Sequence, residues 1–105
     1  MKVELLYFDD CPSWQDADQH LRALAAEFGD LRVEHRLVTT DDEAIRLGFF
    51  GSPSIQVDGV DLFEPSADAQ PGLSCRVYRT PHGFAGSPTA EQLRDAMMRR
   101  LAQPG

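Results

Sequence analysis

Cys11 is the residue of this chain whose type and position best suit chemistry. It lies in the stretch YFDDCPSW, where an apolar run ends in Asp9 and Asp10 and a helix is expected to begin. Unpaired amide N–H groups and the positive dipole end of a helix favour the thiolate form of a nearby cysteine. The two carboxylates oppose this effect, but exposed charges are screened by water and salt. We predict a nucleophilic thiol, with a small buried apolar residue as the alternative.

Trp14 occupies the position, three residues after Cys11, where a Cys-x-x-Cys motif would have its second cysteine. Indole cannot form a disulfide, so any resolving thiol for Cys11 lies outside this motif. Cys75 is the other cysteine of the chain, and two cysteines allow one disulfide or two separate thiols. No Cys-x-x-Cys or His-x-x-His spacing is present, so we predict no metal site and no cofactor.

Hydrophobic periodicity predicts the elements that position Cys11. The apolar run over residues 2–8 is typical of a buried strand that ends just before the cysteine. A helix is expected over residues 12–28, with Pro12 in its first turn and Gly29 past its end, which makes Cys11 the N-cap residue. A second strand follows, and its predicted buried face comprises Leu31, Val33, His35 and Leu37.

Turn and capping signals predict the remaining elements. A short helix is expected between residues 40 and 48, because a threonine and an aspartate can cap its start and a glycine can end it. Asp58-Gly59 between two apolar pairs predicts a two-residue hairpin. Thr89 and Gln92 form a capping box for a last helix, whose predicted buried stripe is Leu93, Ala96, Met97 and Leu101.

The element order is strand, helix, strand, helix, strand, strand, helix, within a single domain over residues 1–105. This order predicts an α/β fold with a four-stranded mixed sheet and helices on both faces. Residues 64–87 form an insertion before the last helix, rich in proline and glycine, in which SCRVYR is expected to give a short strand. So long a connection in a compact domain is a candidate for function or partner binding.

This order resembles the thioredoxin/glutaredoxin-like superfamily, because a cysteine stands at the first strand-to-helix turn and Ser52-Pro53 precedes the third strand. The chain is most similar to small bacterial thioredoxin-like proteins with a CPSW motif, some of which are labelled alkylmercury-lyase-like. The similarity covers about residues 2–63 and 87–102. It implies that Cys11 is the nucleophile, that Pro53 is cis, and that the Ser52 backbone binds an extended substrate.

We assign Cys11 and Cys75 to catalysis, and the predicted substrate-binding residues are Pro12, Trp14, Ser52, Pro53 and Arg76. The expected fourth strand returns toward Cys11, so the topology permits Cys75 to approach it. A bridge requires Cα atoms within about 7 Å. Three alternatives remain open: an inward-packed Cys75 beside Val77, a trans Pro53, and a Trp14 that serves core packing.

The insertion concentrates positive charge near Cys75, in Arg76, Arg79 and His82. In a net acidic chain, these residues suit a carboxylate-bearing thiol such as glutathione. The alternative is a solvated basic strand edge that blocks unwanted strand pairing.

Charge and composition narrow the classes of partner. The 105 residues carry a formal net charge of −7, which argues against nucleic acid and against an anionic membrane surface. No apolar stretch approaches the roughly 20 residues of a membrane span, and the N-terminus lacks the features of a signal peptide. We therefore predict a cytoplasmic protein whose partner is a low-molecular-weight thiol or a protein disulfide. The oligomeric state is not indicated by the sequence.

The leading hypothesis is a monothiol-type thiol–disulfide oxidoreductase, in which Cys11 attacks and Cys75 or a small thiol resolves. A second hypothesis is a non-catalytic binding module on the same scaffold. A third is soft-metal or organomercurial chemistry with both cysteines as ligands and Asp10 as a proton donor. Whether the protein is an enzyme stays open at this level.

Overall fold

The computed structural model describes residues 2–29, 31–65 and 68–102. These residues form a small mixed α/β fold with a four-stranded mixed sheet, a separate two-stranded sheet and three helices. In chain order the elements are β1 (Lys2–Tyr7), α1 (Trp14–Phe28), β2 (Arg32–Leu37), α2 (Asp41–Leu47), β3 (Ser54–Val57), β4 (Val60–Asp61), β5 (Tyr78–Thr80), β6 (Gly83–Ala85) and α3 (Ala90–Ala102).

The main sheet has the strand order β2-β1-β3-β4. Strands β1 and β2 are parallel, whereas β3 pairs antiparallel with both β1 and β4, which confirms the predicted mixture. The hairpin turns at Asp58 and Gly59, whose φ angles of 54° and 82° suit a tight turn between twisted strands. The central position of β1 brings its C-terminal end, and hence Cys11, beside the start of β3.

Alternate residues of β1 face opposite sides of the sheet, and each side has its own apolar cluster. Val3 and Leu5 belong to the cluster formed with α1, α3 and β3, whose other fully or nearly buried members are Ala17, Leu21, Leu24, Ile55, Val57, Leu93 and Met97. Leu6 faces the other side, where it packs with Val38, Ala44 and Phe49. Helices therefore cover both faces, as predicted, with α2 alone on the second face of the described sheet.

The helix ends are defined by the capping residues. The Thr40 hydroxyl accepts a hydrogen bond from the Glu43 N–H at the start of α2, over 3.1 Å. Thr89 and Gln92 exchange two such bonds before α3, as the capping box predicts. Helix α1 differs from the prediction: it begins at Trp14 with Ser13 as its N-cap, because residues 12 and 13 form a turn. Cys11 consequently precedes the N-cap.

Three predictions about burial and extent were wrong. His35 and Leu37 are exposed, because β2 is at the edge of the sheet. Leu101, in the last turn of α3, is 51% exposed. In the insertion, the strand begins at Tyr78 and not within residues 74–77, and it pairs with β6 in a hairpin that the sequence did not predict. No helix in the described ranges is both long and apolar enough to cross a membrane.

Candidate functional site

Cys11 and Cys75 form a disulfide, with their Cα atoms 5.9 Å apart. The bond joins the turn after β1 to the insertion, and it decides the alternative that the sequence left open. Cys75 does not pack inward beside Val77, which is 65% exposed. The catalytic roles assigned to the two cysteines stay predictions, but the structure brings their side chains together.

The two cysteines differ in their access to solvent. Cys11 is 1% exposed, whereas Cys75 is an exposed residue. The turn that contains Cys11 is held by its own N–H, which donates to the Phe8 carbonyl oxygen over 3.2 Å. The Phe8 N–H in turn donates to the Ser52 hydroxyl over 3.1 Å. Cys75 is therefore the more accessible residue of the pair, while Cys11 lies on a fixed turn.

Residues 74–78, which we call the strap, cross the Ser52–Pro53 turn. The Ser52 N–H donates to the Ser74 carbonyl oxygen over 2.7 Å, and the Arg76 N–H donates to the Ser52 carbonyl oxygen over 2.9 Å. Ser52 and Cys75 thus form an isolated parallel β-bridge. Both main-chain hydrogen-bonding groups of Ser52 are used by the strap, and this pairing sets the position of Cys75.

The strap is also bound to Pro53. The Ser52–Pro53 peptide bond is cis, as predicted. The Tyr78 hydroxyl donates to the Pro53 carbonyl oxygen over 2.6 Å. Burial raises the pKa of Tyr78 well above its ordinary value, and this outweighs the opposing effect of the nearby Arg76 charge. Tyr78 therefore stays neutral and remains a hydrogen-bond donor at physiological pH.

Arg76 anchors the centre of the strap. Its guanidinium donates to the Asp61 carboxylate over 2.7 Å and to the Phe63 carbonyl oxygen over 2.6 Å, and it lies 4.8 Å from the Tyr78 ring centroid. The side chains of Arg76 and Asp61 are 9% and 12% exposed. The pair is therefore largely shielded from water. Substrate binding by Arg76 stays a prediction, and the contacts in the structure are those of an anchor.

Gly51 allows the strap to approach the Ser52–Pro53 turn. Its φ angle of 114° belongs to a region that residues with side chains rarely adopt. A Cβ atom there would lie 3.0–3.2 Å from the Cβ, N and Cα atoms of Arg76. Sequence reasoning missed Gly51, Asp61 and Tyr78; a glycine directly before Ser52-Pro53 was the one local signal for this close approach.

The remaining predicted substrate-binding residues lie in and after the turn that follows Cys11. Pro12 is exposed in the turn between the cysteine and α1. Trp14 is partly buried against the core cluster and stacks on Tyr7 at a centroid distance of 4.4 Å. It also meets the ring of His35 edge-on at 5.7 Å. These contacts give Trp14 a packing role, and a role for either residue in substrate binding stays a prediction.

A cavity of about 490 Å³ opens beside Cys75. Its wall comes from the segment after β4, from the strap and β5, and from α3. Arg79 and Arg99 contribute charge, and both are exposed. His82, the third predicted cationic residue, lies in the β5–β6 turn and is not among the residues that line the cavity.

The described ranges contain no group of three or more His, Cys, Asp and Glu side chains close enough together to hold a metal ion. Comparison of the chain with family models, with curated proteins and with solved structures gives no match.

Proposed function

We propose that this protein is a thiol–disulfide oxidoreductase with a thioredoxin-like fold, in which Cys11 and Cys75 are the redox-active pair. The observation that carries the proposal is the disulfide between a buried cysteine on a fixed turn and an exposed cysteine on the strap. Exchange with a reagent in solution requires one accessible sulfur and one that can leave, and an exposed Cys75 bonded to a buried Cys11 suits these two roles.

The fold supports this proposal. A parallel β1–β2 pair joined through α1, with β3 and β4 antiparallel beyond β1, is the order that the resemblance to the thioredoxin superfamily implies. Cys11 lies in the turn after β1, and the cis Ser52–Pro53 bond precedes β3. The hydrogen bond from the Phe8 N–H to the Ser52 hydroxyl ties these two turns together.

The chemistry is a two-step exchange. A substrate thiolate attacks the Cys75 sulfur, the bond between the two cysteines breaks, and its electron pair leaves with Cys11 as a thiolate. A second substrate thiolate then attacks the substrate sulfur of the mixed disulfide, which frees Cys75. The substrate is oxidised to a disulfide and the protein gains two electrons and two protons as a dithiol. In the reverse direction, the Cys75 thiolate attacks a substrate disulfide and the Cys11 thiolate resolves the mixed disulfide. The proposal therefore exchanges the attacking and resolving roles that the sequence predicted, because Cys75 is the exposed residue and Cys11 is buried.

The alternative to this proposal is that the disulfide is purely structural. The strap also has an ion pair through Arg76, a hydrogen bond through Tyr78 and a β-bridge to Ser52, so the disulfide is one of several attachments. In the cytoplasm predicted from the sequence, thiols stay reduced unless they do redox work. Both arguments favour a disulfide that opens and closes.

Equilibration with glutathione redox buffers tests the proposal. Reduced and oxidised protein are separated by acid quenching, alkylation and mass spectrometry, which reports Cys11 and Cys75 separately. We expect a reduction potential of roughly −180 to −270 mV, within the range of redox-active dithiols. A potential below roughly −300 mV would identify a structural bridge and contradict the proposal. Cys11→Ser and Cys75→Ser should each abolish turnover of a small disulfide, leaving at most one mixed disulfide on the remaining cysteine, which mass spectrometry detects by its added mass.

A second candidate function, binding of a soft metal ion, follows from the distance between the Cα atoms of Cys11 and Cys75. When reduced, two thiols on Cα atoms about 5.9 Å apart form a pair that suits a soft ion such as Cu(I) or Hg(II). Binding of such an ion that disappears in either Cys→Ser variant, together with a bridge that resists thiols, would favour this candidate. The binding-module hypothesis is weaker, because the strap uses both main-chain groups of Ser52.

A further inference from the structure

We infer that the thiol reactant is a small molecule with carboxylate groups, held in the cavity beside Cys75. This inference rests on the proposed function, because it names the substrate class of the same exchange. Three observations lead to it: the occupied Ser52 backbone, the cavity that opens on the accessible cysteine, and the charge of the cavity wall.

The occupied backbone disfavours an extended peptide as the substrate. The Ser52 N–H and carbonyl, which would pair with such a peptide, are bonded to Ser74 and Arg76 of the strap. The contacts of Arg76 with Asp61 and of Tyr78 with Pro53 hold the strap in addition to the disulfide. We therefore expect these groups to stay covered when the bridge opens, so that a reactant reaches the sulfur by another route.

The cavity supplies that route. Cys75 lines it directly, and Cys75 is the exposed member of the pair. Its volume of about 490 Å³ suits a small molecule and is within the usual range for ligand pockets. Phe50, Phe63 and Val77 provide apolar surface for the carbon skeleton of a thiol.

The charge of the wall selects an anion. Arg76 lies in the wall, but its charge is paired with Asp61. Arg79 and Arg99 have no carboxylate within 4.0 Å in the described part of the chain, and Glu64 is the acidic residue among the lining side chains. The Arg79 guanidinium lies over the Phe84 ring, 5.8 Å from its centroid, and this contact leaves its charge without a carboxylate. Two cations without a carboxylate partner against one anion give a positive wall in a chain whose net charge is −7. Carboxylates are the natural partners of such guanidinium groups.

Reduction rates of the oxidised protein by thiols of graded charge test this inference. The thiols are cysteamine, 2-mercaptoethanol, 3-mercaptopropionate and mercaptosuccinate, whose substituents carry about +1, 0, −1 and −2 charges. Each rate constant is expressed per thiolate and divided by the rate constant of the same thiol with hydroxyethyl disulfide, which removes differences in intrinsic nucleophilicity. We expect the ratio to rise about two- to fivefold per carboxylate at low salt and to flatten when salt is added.

Variants that remove one charge test whether the dependence of the reduction rate on thiol charge arises from the wall of the cavity. Arg79→Gln and Arg99→Gln should each lower the ratio for mercaptosuccinate about two- to fivefold, and Glu64→Gln should raise it. Arg32→Gln is the matched control, because it removes the same charge from an exposed residue of β2, at the other edge of the sheet from β4. The ratio for 2-mercaptoethanol, whose reacting thiolate carries a single negative charge, should change in the same direction but by less than that for mercaptosuccinate in the three cavity variants, and it should stay constant in Arg32→Gln.

A flat charge series, or an equal loss in Arg32→Gln, would overturn the inference while leaving the proposed function intact. So would a reduced protein that cleaves disulfides in unfolded peptides faster than small anionic disulfides, which would identify a protein substrate. Resistance of the bridge to every thiol, dithiothreitol included, would instead overturn the proposed function and this inference with it.

Discussion

The Arg76 guanidinium and the Asp61 carboxylate lie 2.7 Å apart, in a pair that is about nine-tenths buried and joins the strap to the end of β4. Because β4 is hydrogen-bonded to β3, this contact ties the residue next to Cys75 to the main sheet. Buried pairs are costly to break from one side, since the remaining charge then lacks both a partner and water.

Asp61→Asn should therefore lower the free energy of unfolding by about 3 kcal/mol and slow re-formation of the Cys11–Cys75 bond after reduction. The variant keeps the oxygen that accepts the Phe63 N–H but replaces the one that accepts from Arg76, so the loss reports the contact with Arg76, its charge and its hydrogen bond together. Urea denaturation measures the first effect, and timed alkylation during reoxidation measures the second. Asp58→Asn is the control, because this carboxylate is 64% exposed and lies 3.4 Å from its partner Arg100, so its loss should cost less than about 1 kcal/mol. Equal losses in the two variants would contradict the anchor role of Arg76.

Gly51→Ala should displace the strap, because the new Cβ atom would crowd the Arg76 backbone and Cβ at 3.0–3.2 Å. Gly83→Ala separates this crowding from backbone strain: its φ angle of 110° is close to the 114° of Gly51, but nothing lies within 4 Å of an added Cβ. We expect both variants to lose about 1–2 kcal/mol of stability through φ alone. A further loss, and slow reoxidation of the disulfide, should be confined to Gly51→Ala. Identical reoxidation rates would show that the approach of Arg76 does not position Cys75.

Stability should fall at alkaline pH because of Tyr78. Burial raises its pKa in the folded state above the ordinary value of 10.0, so the folded state favours the neutral hydroxyl. The resulting stabilisation is complete below pH about 10 and decreases as the pH rises above that value, where the unfolded chain loses the proton first. Urea unfolding between pH 8 and 11 measures this decrease. The Cys75→Ser background prevents disulfide rearrangement during the experiment.

Tyr78→Phe in that same background is the comparison. It should be less stable at pH 8 by about 1 kcal/mol, because the Pro53 carbonyl oxygen loses its donor. Its alkaline decrease should be correspondingly smaller. A decrease of equal size in both variants would assign the alkaline titration to a group other than Tyr78.

Local signals in the sequence were sufficient for most of the main sheet. The helix ends could be predicted because a few adjacent residues define each terminus. The structure has helix ends at Gly29, at Gly48 and at the Thr89–Gln92 capping box. The Asp58–Gly59 hairpin was predictable for the same reason. The exposure of β2 could not be predicted from the sequence, since the same alternating pattern suits a central strand and an edge strand. Neighbours across the sheet decide between them.

The site was harder to predict than the fold, because its contacts join segments far apart in the chain. The sequence identified both cysteines and a cis Pro53, but it left their relation open. The strap is held by Arg76 with Asp61 and by Tyr78 with Pro53, over separations of 15 and 25 residues. Neither pair has a spacing that a helix or strand period would reveal.

The disulfide closes a covalent ring from residue 11 to residue 75, across a sequence separation of 64. β1 and α3, which both contribute to the larger core cluster, lie outside this ring as two tails. An oxidised chain that unfolds therefore remains a closed ring, and a loop of this length removes enough unfolded-state entropy to favour folding by about 4 kcal/mol. Opening the ring shifts the folding equilibrium about a thousandfold toward the unfolded chain, so the redox state of the two cysteines also sets how often a protease meets an unfolded copy.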